Sequence, residues 1–479
     1  MNIKVVSHTI GKISLLLSIT MIFPLVIAIM DHSPDSKAFF FSIIIGITAG
    51  LLLSLLKPDD HIGRKEGFTI VGLGWIVLTA LGALPYYLSG TVPTYTDAFF
   101  ETMSGFTTTG ATILTDIEEA SRGILLWRAL TNWLGGMGII VLSIAIFSFL
   151  KKGTSLFQAE VPGPTPDKIL PRLKQTAKTL WLIYTGLTIA QIITLTLAEM
   201  SLFDSVVHTF ATVATGGFSS RGISVEAYHS PYIEGIIAFF MLLSGMNFSL
   251  HYRAMQRKNL TPLVHDAETK AYLGIIVFST LLITINLFLN MDIPLTNALR
   301  RSAFQVISII TTTGFSSDNF DLWPPLAKGI LFFLMFVGGC TGSTGGSVKV
   351  ARYVILFKYA RRRITKTINP RQILQTKING VYIPDNVIHE IMAFFFIYTF
   401  IFVLGALILM ATGEDVLTAL TAAASGIGNV GPGLAGVGPY ESYSSMHTIA
   451  KWTLSFLMLT GRLELMTILV LFHPGFWRK

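Results

Sequence analysis

The chain has 479 residues, of which 52% are hydrophobic and only 13% are charged, whereas soluble domains carry about 25% charged residues. Its single cysteine excludes an internal disulfide and a multi-cysteine metal site. The net charge of +8 at pH 7 is compatible with nucleic-acid binding, but in so apolar a chain it is typical of the positive-inside bias of membrane proteins. The composition therefore predicts an integral membrane protein that binds no nucleic acid.

Ten apolar stretches are long enough to cross a bilayer, which takes about 20 residues. They lie at 13–30, 38–56, 68–89, 123–149, 176–198, 232–251, 272–290, 326–358, 386–411 and 447–474. Most Lys and Arg residues lie on one side of these spans, in the links 57–66, 151–178, 252–270 and 351–378 and near both chain ends. By the positive-inside rule this side is cytoplasmic, so we expect both termini in the cytoplasm.

Four short segments rich in glycine and hydroxyl side chains recur on the opposite side of the predicted membrane. They are 107–111 (TTTGA), 214–218 (ATGGF), 311–315 (TTTGF) and 425–429 (SGIGN). Each follows an apolar run with about nine helical residues, which reaches about 14 Å at the α-helical rise. Such a helix crosses only half of the membrane, so it must be a re-entrant pore helix surrounded by protein and water.

An acidic residue stands thirteen positions before a glycine in three of these segments. The pairs are Asp97 with Gly110, Asp204 with Gly217 and Asp415 with Gly428. An acid at this place is predicted to cap a pore helix and to complement its positive end. Arg301 breaks the pattern in the third segment. One such turn alone is more typical of a plain helix connection, but four with three matching acids favour an ion filter, with the negative helix ends facing a cation.

The order of span, pore helix, Thr/Gly turn and span, made four times, resembles the superfamily of Trk, Ktr and HKT potassium transporters over nearly the whole chain. Two additional N-terminal spans and the length of 479 residues are similar to the bacterial Trk membrane subunit of the TrkH or TrkG type. The resemblance implies an all-α polytopic membrane protein without enzymatic activity, with four pseudo-symmetric repeats around a central pore. We expect a two-helix extension at 1–67 and repeats at 68–152, 153–258, 259–365 and 366–479.

The resemblance also implies which residues form the potassium filter, because one glycine from each repeat lines it in this family. The expected filter residues are Thr108, Thr109, Gly110, Thr215, Gly216, Gly217, Thr312, Thr313, Gly314, Ile427, Gly428 and Asn429. A serine at the first glycine accompanies sodium transport in some plant members of the superfamily. All four aligned positions are glycine here, which favours potassium, although the fourth segment departs from the pattern because it lacks threonines.

The span 326–358 is interrupted by the segment 338–347, in which five of ten residues are glycine. Each glycine costs a helix about 1 kcal/mol relative to alanine, so we expect a loop inside a membrane cavity. A Walker-type phosphate loop lacks its lysine here, and a simple helix kink is the remaining alternative. The family carries a movable gate loop at this position, which implies gate residues Gly339, Cys340, Thr341, Gly342, Ser343, Thr344, Gly345, Gly346 and Arg462.

Arg462 lies inside the last apolar span, where a cation facing lipid would cost several kcal/mol. We expect it to face the protein interior and to bind carbonyl groups of the gate loop. The alternatives are an ion pair with Glu464 and snorkelling towards the cytoplasm. Lys349, directly after the loop, is predicted to be a solvated or snorkelling charge outside the gate.

Other polar residues near these elements are predicted to be structural. His208 and Gln305 occupy matching positions in two pore helices and are expected to pack or hydrogen-bond behind the turns. His265, Asp266 and Glu268 could suggest a metal or acid–base site, but we interpret them as the solvated start of a helix.

No cytoplasmic link exceeds about thirty residues, which is too short for a nucleotide-binding domain. The resemblance implies a homodimer in a bacterial cytoplasmic (inner) membrane and a separate TrkA-like ring subunit that carries the nucleotide. K⁺ is then the transported ion, with no cofactor in this chain. Two alternatives remain open: a sodium-conducting or sodium-coupled relative, and a non-transporting membrane enzyme or scaffold.

Overall fold

A computed structural model describes residues 1–56, 63–150, 169–372 and 374–478, most of them helical. The predicted boundary between 152 and 153, and most of the basic links 57–66 and 151–178, lie outside these residues. The N-terminal extension is an antiparallel pair formed by α1 (Ile3–Thr20), which continues into α2 (Ile22–Met30), and by α3 (Asp35–Ser54).

Small residues let the two helices of the extension approach closely, as is typical of helix pairs in membranes. A methyl group on Gly11 would lie 2.7 Å from the carbonyl oxygen of Gly50. Gly46 faces the hydroxyl of Ser18 across the same interface. Larger side chains at these positions would force the helices apart.

The rest of the chain repeats one order of elements: a span, a short buried helix, an irregular turn and a second span. The first set is α4 (Arg64–Gly82), α5 (Leu84–Leu88), α6 (Tyr95–Phe106) and α7 (Arg122–Leu150). The second is α8 (Ile169–Leu197), α9 (Leu202–Val213), α10 (Pro231–Ser244) and α11 (Phe248–Arg257). The element α4 starts before residue 68, so the expected boundary of the extension falls inside this helix.

The third and fourth sets are joined by a small hairpin. The third set is α12 (Thr261–His265), α13 (Ala267–Asn290), α14 (Leu295–Ile310), α15 (Pro325–Leu334) and α16 (Val350–Ile368). The hairpin pairs β1 (Lys377–Ile378) with β2 (Val381–Tyr382) in antiparallel register. The fourth set is α17 (Asp385–Ala411), α18 (Val416–Gly428), α19 (Thr448–Arg462), α20 (Met466–Phe472) and α21 (Pro474–Trp477).

Six helical segments among the described residues are long and apolar enough to cross a membrane. Two predicted spans are bent: α10 meets α11 at 96°, and α19 meets α20 at 118°. At the first bend the carbonyl of Gly245 turns out of its helix and accepts a hydrogen bond from Cys340 N at 2.8 Å. The predicted spans 232–251 and 447–474 are therefore each broken into two helices, and the first bend contacts the loop that follows α15.

Burial separates the short helices from the spans. In α6 every residue from Asp97 to Phe106 is buried, and α18 is buried from Thr421 to Gly428. By contrast, α17 leaves Phe396 74% exposed on its outer side. The short helices are thus enclosed by protein, as backbone at membrane depth requires, while the spans present their apolar outer surface to lipid.

Candidate functional site: four turns and a loop beneath them

The four short helices α6, α9, α14 and α18 end in the same backbone motif. In each, a left-handed residue is followed two positions later by a glycine with positive φ. The left-handed residues are Thr108 (52°), Thr215 (56°), Thr312 (57°) and Asn429 (54°). The glycines are Gly110 (85°), Gly217 (70°), Gly314 (81°) and Gly431 (103°). Left-handed threonine is strained because its side chain is β-branched, and such strain concentrates at functional sites.

The same hydrogen bonds close all four turns. In each, the amide after the left-handed residue donates to the carbonyl five positions earlier, which is the Schellman arrangement at a helix end. These bonds are Thr109 N to Ser104 O (2.8 Å), Gly216 N to Ala211 O (2.7 Å), Thr313 N to Ser308 O (2.9 Å) and Val430 N to Ser425 O (3.0 Å).

The fourth turn therefore corrects the alignment drawn from the sequence. Gly428 is the last residue of α18, and the glycine equivalent to Gly110 is Gly431. The expected set Ile427, Gly428 and Asn429 lies two residues before the real turn, which is Asn429, Val430 and Gly431, and the expected glycine lies three residues before the real one. Asparagine at the left-handed position is the non-glycine residue that adopts this conformation most readily.

The four turns close a ring in chain order. Each glycine faces a backbone carbonyl of the next turn, and the fourth faces the first. A methyl group on Gly110 would lie 2.5 Å from Gly216 O, and one on Gly431 would lie 2.7 Å from Thr109 O. The same group on Gly217 would overlap Thr313 O, and on Gly314 it would overlap Val430 O. Only glycine fits at these positions.

The ring offers oxygen atoms and no ionised group. The segments 107–111, 214–218, 311–315 and 428–432 contain no Asp, Glu, Lys or Arg. Among the described residues, Thr108 Oγ1 and Asn429 Oδ1 are buried without a hydrogen-bond partner. Four helix carboxyl ends also converge here, and each carries about half a negative charge. Neutral oxygens in a field of this sign suit an alkali cation that has shed its water.

A non-helical loop lies directly against this ring, between the end of α15 and the start of α16. Gly346 N donates to Thr312 Oγ1 at 2.6 Å, so the loop touches the third turn. Thr344 Oγ1 donates to Val213 O, at the end of α9, at 3.0 Å. Gly338 N and Val348 O close the base of the loop at 2.9 Å. The segment is thus a folded loop and not a kinked helix.

Arg462, at the end of α19, reaches the middle of this loop. Its Nη1 donates to Thr344 O at 2.7 Å and its Nη2 to Gly135 O at 3.3 Å. The side chain is 3% exposed, so it does not snorkel. Glu464 pairs with Arg352 at 2.7 Å, so the alternative pair with Arg462 is absent. One buried cation therefore joins the loop to α7.

Comparison with known proteins decides the family. The model of the TrkH family, described as cation transport protein, matches residues 35–479. This chain belongs to the TrkH family. It is 38% identical over 485 residues to the Trk system potassium uptake protein TrkH of Escherichia coli K12, covering 100% of both chains. It is 34% identical to TrkG of the same organism, covering 100% of this chain and 99% of the other.

A solved structure has the same fold. The crystal structure of the potassium transporter TrkH from Vibrio parahaemolyticus matches with a TM-score of 0.92 at 35% identity and covers 100% of both chains. The predicted family and the all-α, multi-pass membrane fold are therefore confirmed. Because the TrkH family is one of cation transport proteins, the prediction that the chain is not an enzyme is confirmed as well.

The acids before the pore helices of this TrkH-family chain have two different roles. The prediction that Asp97 and Asp204 are N-caps is wrong, because each is the third residue of its helix. The caps are the hydroxyls of Thr94 and Ser201, which accept from the amides of Asp97 (3.2 Å) and Asp204 (3.0 Å). Only Asp415 is itself a cap; its carboxylate accepts from Leu417 N at 2.9 Å. The third pore helix, α14, begins after Pro294 without a side-chain cap.

Two basic residues missed in the sequence hold the ring from behind. Arg128 pairs with Glu101 at 2.8 Å and donates to Ser219 O at 3.0 Å, so it joins the first repeat to the second. Lys451 pairs with Asp97 at 2.6 Å, which joins the fourth repeat to the first. A cation inside an apolar span was the available signal, the same one that singled out Arg462.

The histidine and glutamine behind the turns lie where they were predicted. The Nε2 atom of His208 lies 3.0 Å from Ser219 Oγ, and the Nδ1 atom of the same ring lies 2.9 Å from Asp204 O. Gln305 Nε2 donates to Phe315 O at 3.5 Å. In the part of the chain that the structure describes, no group of three His, Cys, Asp or Glu could hold a metal ion.

Two predictions about charges near the loop are wrong. Lys349 is not solvated, because its ammonium group donates to Gly345 O within the loop. Glu268 is not solvated either: it is buried, and its carboxylate accepts from the amides of Thr341 (2.6 Å) and Ala351 (3.0 Å). Helical periodicity reveals neither contact, because the first lies within a non-helical loop and the second joins residues that are 73 and 83 positions apart.

Proposed function

We propose that this TrkH-family chain takes up potassium across the bacterial cytoplasmic membrane through the ring of four turns. The observation that carries the proposal is the closed ring of glycines, each against a carbonyl of the next repeat, with no ionised side chain in any turn. The names of the relatives, potassium uptake proteins and a potassium transporter, support K⁺ as the transported ion.

Selectivity arises from oxygen atoms held at fixed spacing. The filter consists of Thr108, Thr109, Gly110, Thr215, Gly216, Gly217, Thr312, Thr313, Gly314, Asn429, Val430 and Gly431. Carbonyl groups replace the hydration shell of the ion, and the four helix ends favour positive charge. Glycine contacts between neighbouring turns fix the diameter of the ring, because a turn cannot move inward without meeting the next carbonyl.

The loop 338–347 closes the path on one side of the ring. It touches the turns through Gly346 and Thr344, and Arg462 holds it by a charge-assisted hydrogen bond. A buried positive charge next to the path also repels cations while the loop is in place. Opening therefore requires the loop to leave Arg462 and the third turn together.

Orientation and partners follow from charge. The side with the basic links is cytoplasmic, with both termini inside. The chain acts as a homodimer, and a TrkA-like ring subunit supplies the nucleotide that this chain has no room to bind. The exposed residues Arg361 and Arg363 of α16 are available to such a partner. Co-purification with a candidate ring subunit, and loss of the complex in Arg361→Glu/Arg363→Glu, test this assignment.

The ion is tested with purified protein in vesicles under opposed K⁺ and Na⁺ gradients. We expect a reversal potential near that of K⁺. A value near that of Na⁺ would establish the sodium-conducting alternative. For variants in which a filter glycine is replaced by alanine, the matched control is Gly274→Ala, because a methyl group at Gly274 meets nothing within 4 Å. Absence of flux in both the parent chain and Arg462→Ala would favour a non-transporting scaffold.

A further inference from the structure

A second charged side chain, Glu268, holds the loop through other residues than Arg462 does. Glu268 lies in the first turn of α13 and is buried. Its Oε1 accepts three hydrogen bonds: from Thr341 N at 2.6 Å, from Thr341 Oγ1 at 3.1 Å and from Ala351 N at 3.0 Å. Hydrogen bonds to an ionised acceptor are stronger than those between neutral groups.

These hydrogen bonds lie on both sides of the part of the loop that contacts the ring. Thr341 precedes the part of the loop that touches the ring, and Ala351 follows it in the first turn of α16. Between them lie Thr344 and Gly346, which contact the ends of the pore helices. One carboxylate oxygen thus ties together the two ends of the gate segment, while Arg462 holds its middle.

The position of Glu268 is set in turn by a hairpin outside the bundle. Asp266 caps α13 by accepting from Thr269 N at 2.8 Å. Asn379 donates to Asp266 Oδ1 at 2.7 Å and accepts from Ala267 N at 2.9 Å. Asn379 and Gly380 form the two-residue turn of β1 and β2 with φ of 48° and 81°, as in a type I′ hairpin.

The hairpin is exposed at Val381 and Tyr382, and Lys358 Nζ of α16 donates to Lys377 O at 2.9 Å. It therefore contacts both helices between which the loop is held: α13 through Asn379, and α16 through Lys358. A displacement of the hairpin acts on the start of α13 within two residues of Glu268.

We propose that Glu268 is a positioning residue that holds the gate loop closed, and that the hairpin of β1 and β2 sets its position through Asn379. This inference rests on the proposed function, in which the loop is the gate. Removal of the carboxylate leaves the amides of Thr341 in the loop and of Ala351 in α16 without this acceptor. The loop then spends a larger fraction of time in its open position, and the pore opens more often.

The chain carries its own reporter of loop position. Its only cysteine, Cys340, is buried and adjoins Thr341. In the full chain reconstituted in vesicles, the rate of Cys340 labelling by a small maleimide is measured beside K⁺ flux. We expect Glu268→Ala to raise both by about tenfold, the equivalent of one lost hydrogen bond to a charged group. Glu268→Gln, whose amide oxygen still accepts, is expected to restore most of the slow labelling.

Asn379→Ala provides a variant remote from the loop, with an expected increase of about threefold in labelling. The control is Glu390→Ala, an exposed carboxylate on α17, which is expected to label at the parent rate. Size-exclusion profiles identical to the parent show that the fold is kept. Should Glu268→Ala not fold, labelling at the parent rate in Asn379→Ala would overturn the inference.

The two proposals fail in different ways. If Arg462→Ala speeds labelling and flux while Glu268→Ala and Asn379→Ala leave both at the parent rate, the role of Glu268 is refuted and the gate remains. If every variant lacks K⁺ flux although Cys340 labelling responds to Glu268→Ala, the loop is held as inferred and the potassium function is wrong.

Discussion

The four turns and the loop beside them are both buried, glycine-rich and non-helical, yet they are held in opposite ways. Each turn is closed by backbone hydrogen bonds to its own helix, such as Thr109 N to Ser104 O at 2.8 Å. In addition to backbone bonds such as Cys340 N to Gly245 O at 2.8 Å, the loop is held by charged side chains from other elements: Arg462 from α19 and Glu268 from α13.

This difference separates a fixed element from a movable one. Backbone bonds in the turns persist whatever side chains surround them, and the glycine contacts leave the ring no slack. Withdrawal of one charged side chain weakens the hold on the loop, because Arg462 donates to Thr344 O and Glu268 accepts from the amides of Thr341 and Ala351. Substitutions should therefore abolish conduction at the turns and increase it at the loop.

The largest effect is expected at a turn glycine. Gly217→Ala places a methyl group against Thr313 O and requires the new alanine to keep a left-handed conformation. The steric overlap and the backbone strain together cost about 3 kcal/mol. K⁺ flux in vesicles should fall about a hundredfold. Gly274→Ala, with open space around the added methyl, should keep parent flux. Parent-like flux in Gly217→Ala would show that the ring is not the ion path.

The corrected fourth turn is tested by a neighbouring pair of glycines. Gly431→Ala is expected to lower flux nearly as far as Gly217→Ala, because φ at Gly431 is 103° and a methyl would lie 2.7 Å from Thr109 O. Gly426→Ala, inside α18, places a methyl group 3.2 Å from Leu454 Cδ2 and 3.5 Å from Leu457 Cβ, and its flux should stay within about twofold of the parent. The reverse ranking would contradict the alignment at Gly431.

At the loop the sign of the effect reverses. Arg462→Ala removes the bonds to Thr344 O and Gly135 O, which lowers the stability of the closed loop by about 1.5 to 3 kcal/mol. Basal K⁺ flux should rise about tenfold or more, and Arg462→Lys, which keeps the charge but not the second bond, should lie between. Reduced flux in folded Arg462→Ala would mean that the arginine does not restrain the loop.

The smallest effect is expected at a helix cap. Thr94→Ala removes the cap of α6 and should destabilise the protein by about 1 kcal/mol, seen as a Tm lower by a few degrees in a thermal size-exclusion assay. Flux at ordinary temperature should remain within about twofold, because the turn at Thr108 keeps its own bonds. Asp97→Asn gives the converse case: it weakens the buried pair with Lys451 while the cap remains. An unchanged Tm in Thr94→Ala would show that the Thr94 hydroxyl does not stabilise the start of α6.

The sequence was sufficient for what depends on local chemistry. Hydropathy predicts the spans, turn composition predicts the ends of the pore helices, and glycine content predicts the loop. Arg462 could be predicted to face the loop because a buried cation needs carbonyl groups and the loop supplies them.

The error in the fourth turn has a specific cause. Asp97 and Asp204 lie three residues inside their helices, whereas Asp415 is itself the cap. Counting the same distance from acids with different roles placed the glycine at Gly428, three residues short of Gly431. Measured from the true caps, the left-handed residue follows at the same distance in the first, second and fourth repeats.

Glu268 and the bends could not be predicted because their partners are remote in sequence. Glu268 contacts Thr341, which lies 73 positions later in the chain, and nothing in the segment around Glu268 distinguishes it from an exposed helix start. The bend at Gly245 likewise involves a remote residue, because the carbonyl of Gly245 accepts a hydrogen bond from the amide of Cys340. Such contacts exist only once the repeats are packed around a common centre.

One measurement tests the contrast between fixed turns and movable loop most directly: planar-bilayer recording of Arg462→Ala under opposed K⁺ and Na⁺ gradients. With the loop released and the turns intact, we predict a higher open probability than in the parent and a reversal potential that stays near that of K⁺. A reversal potential that moves to that of Na⁺, or no rise in open probability, would contradict the account.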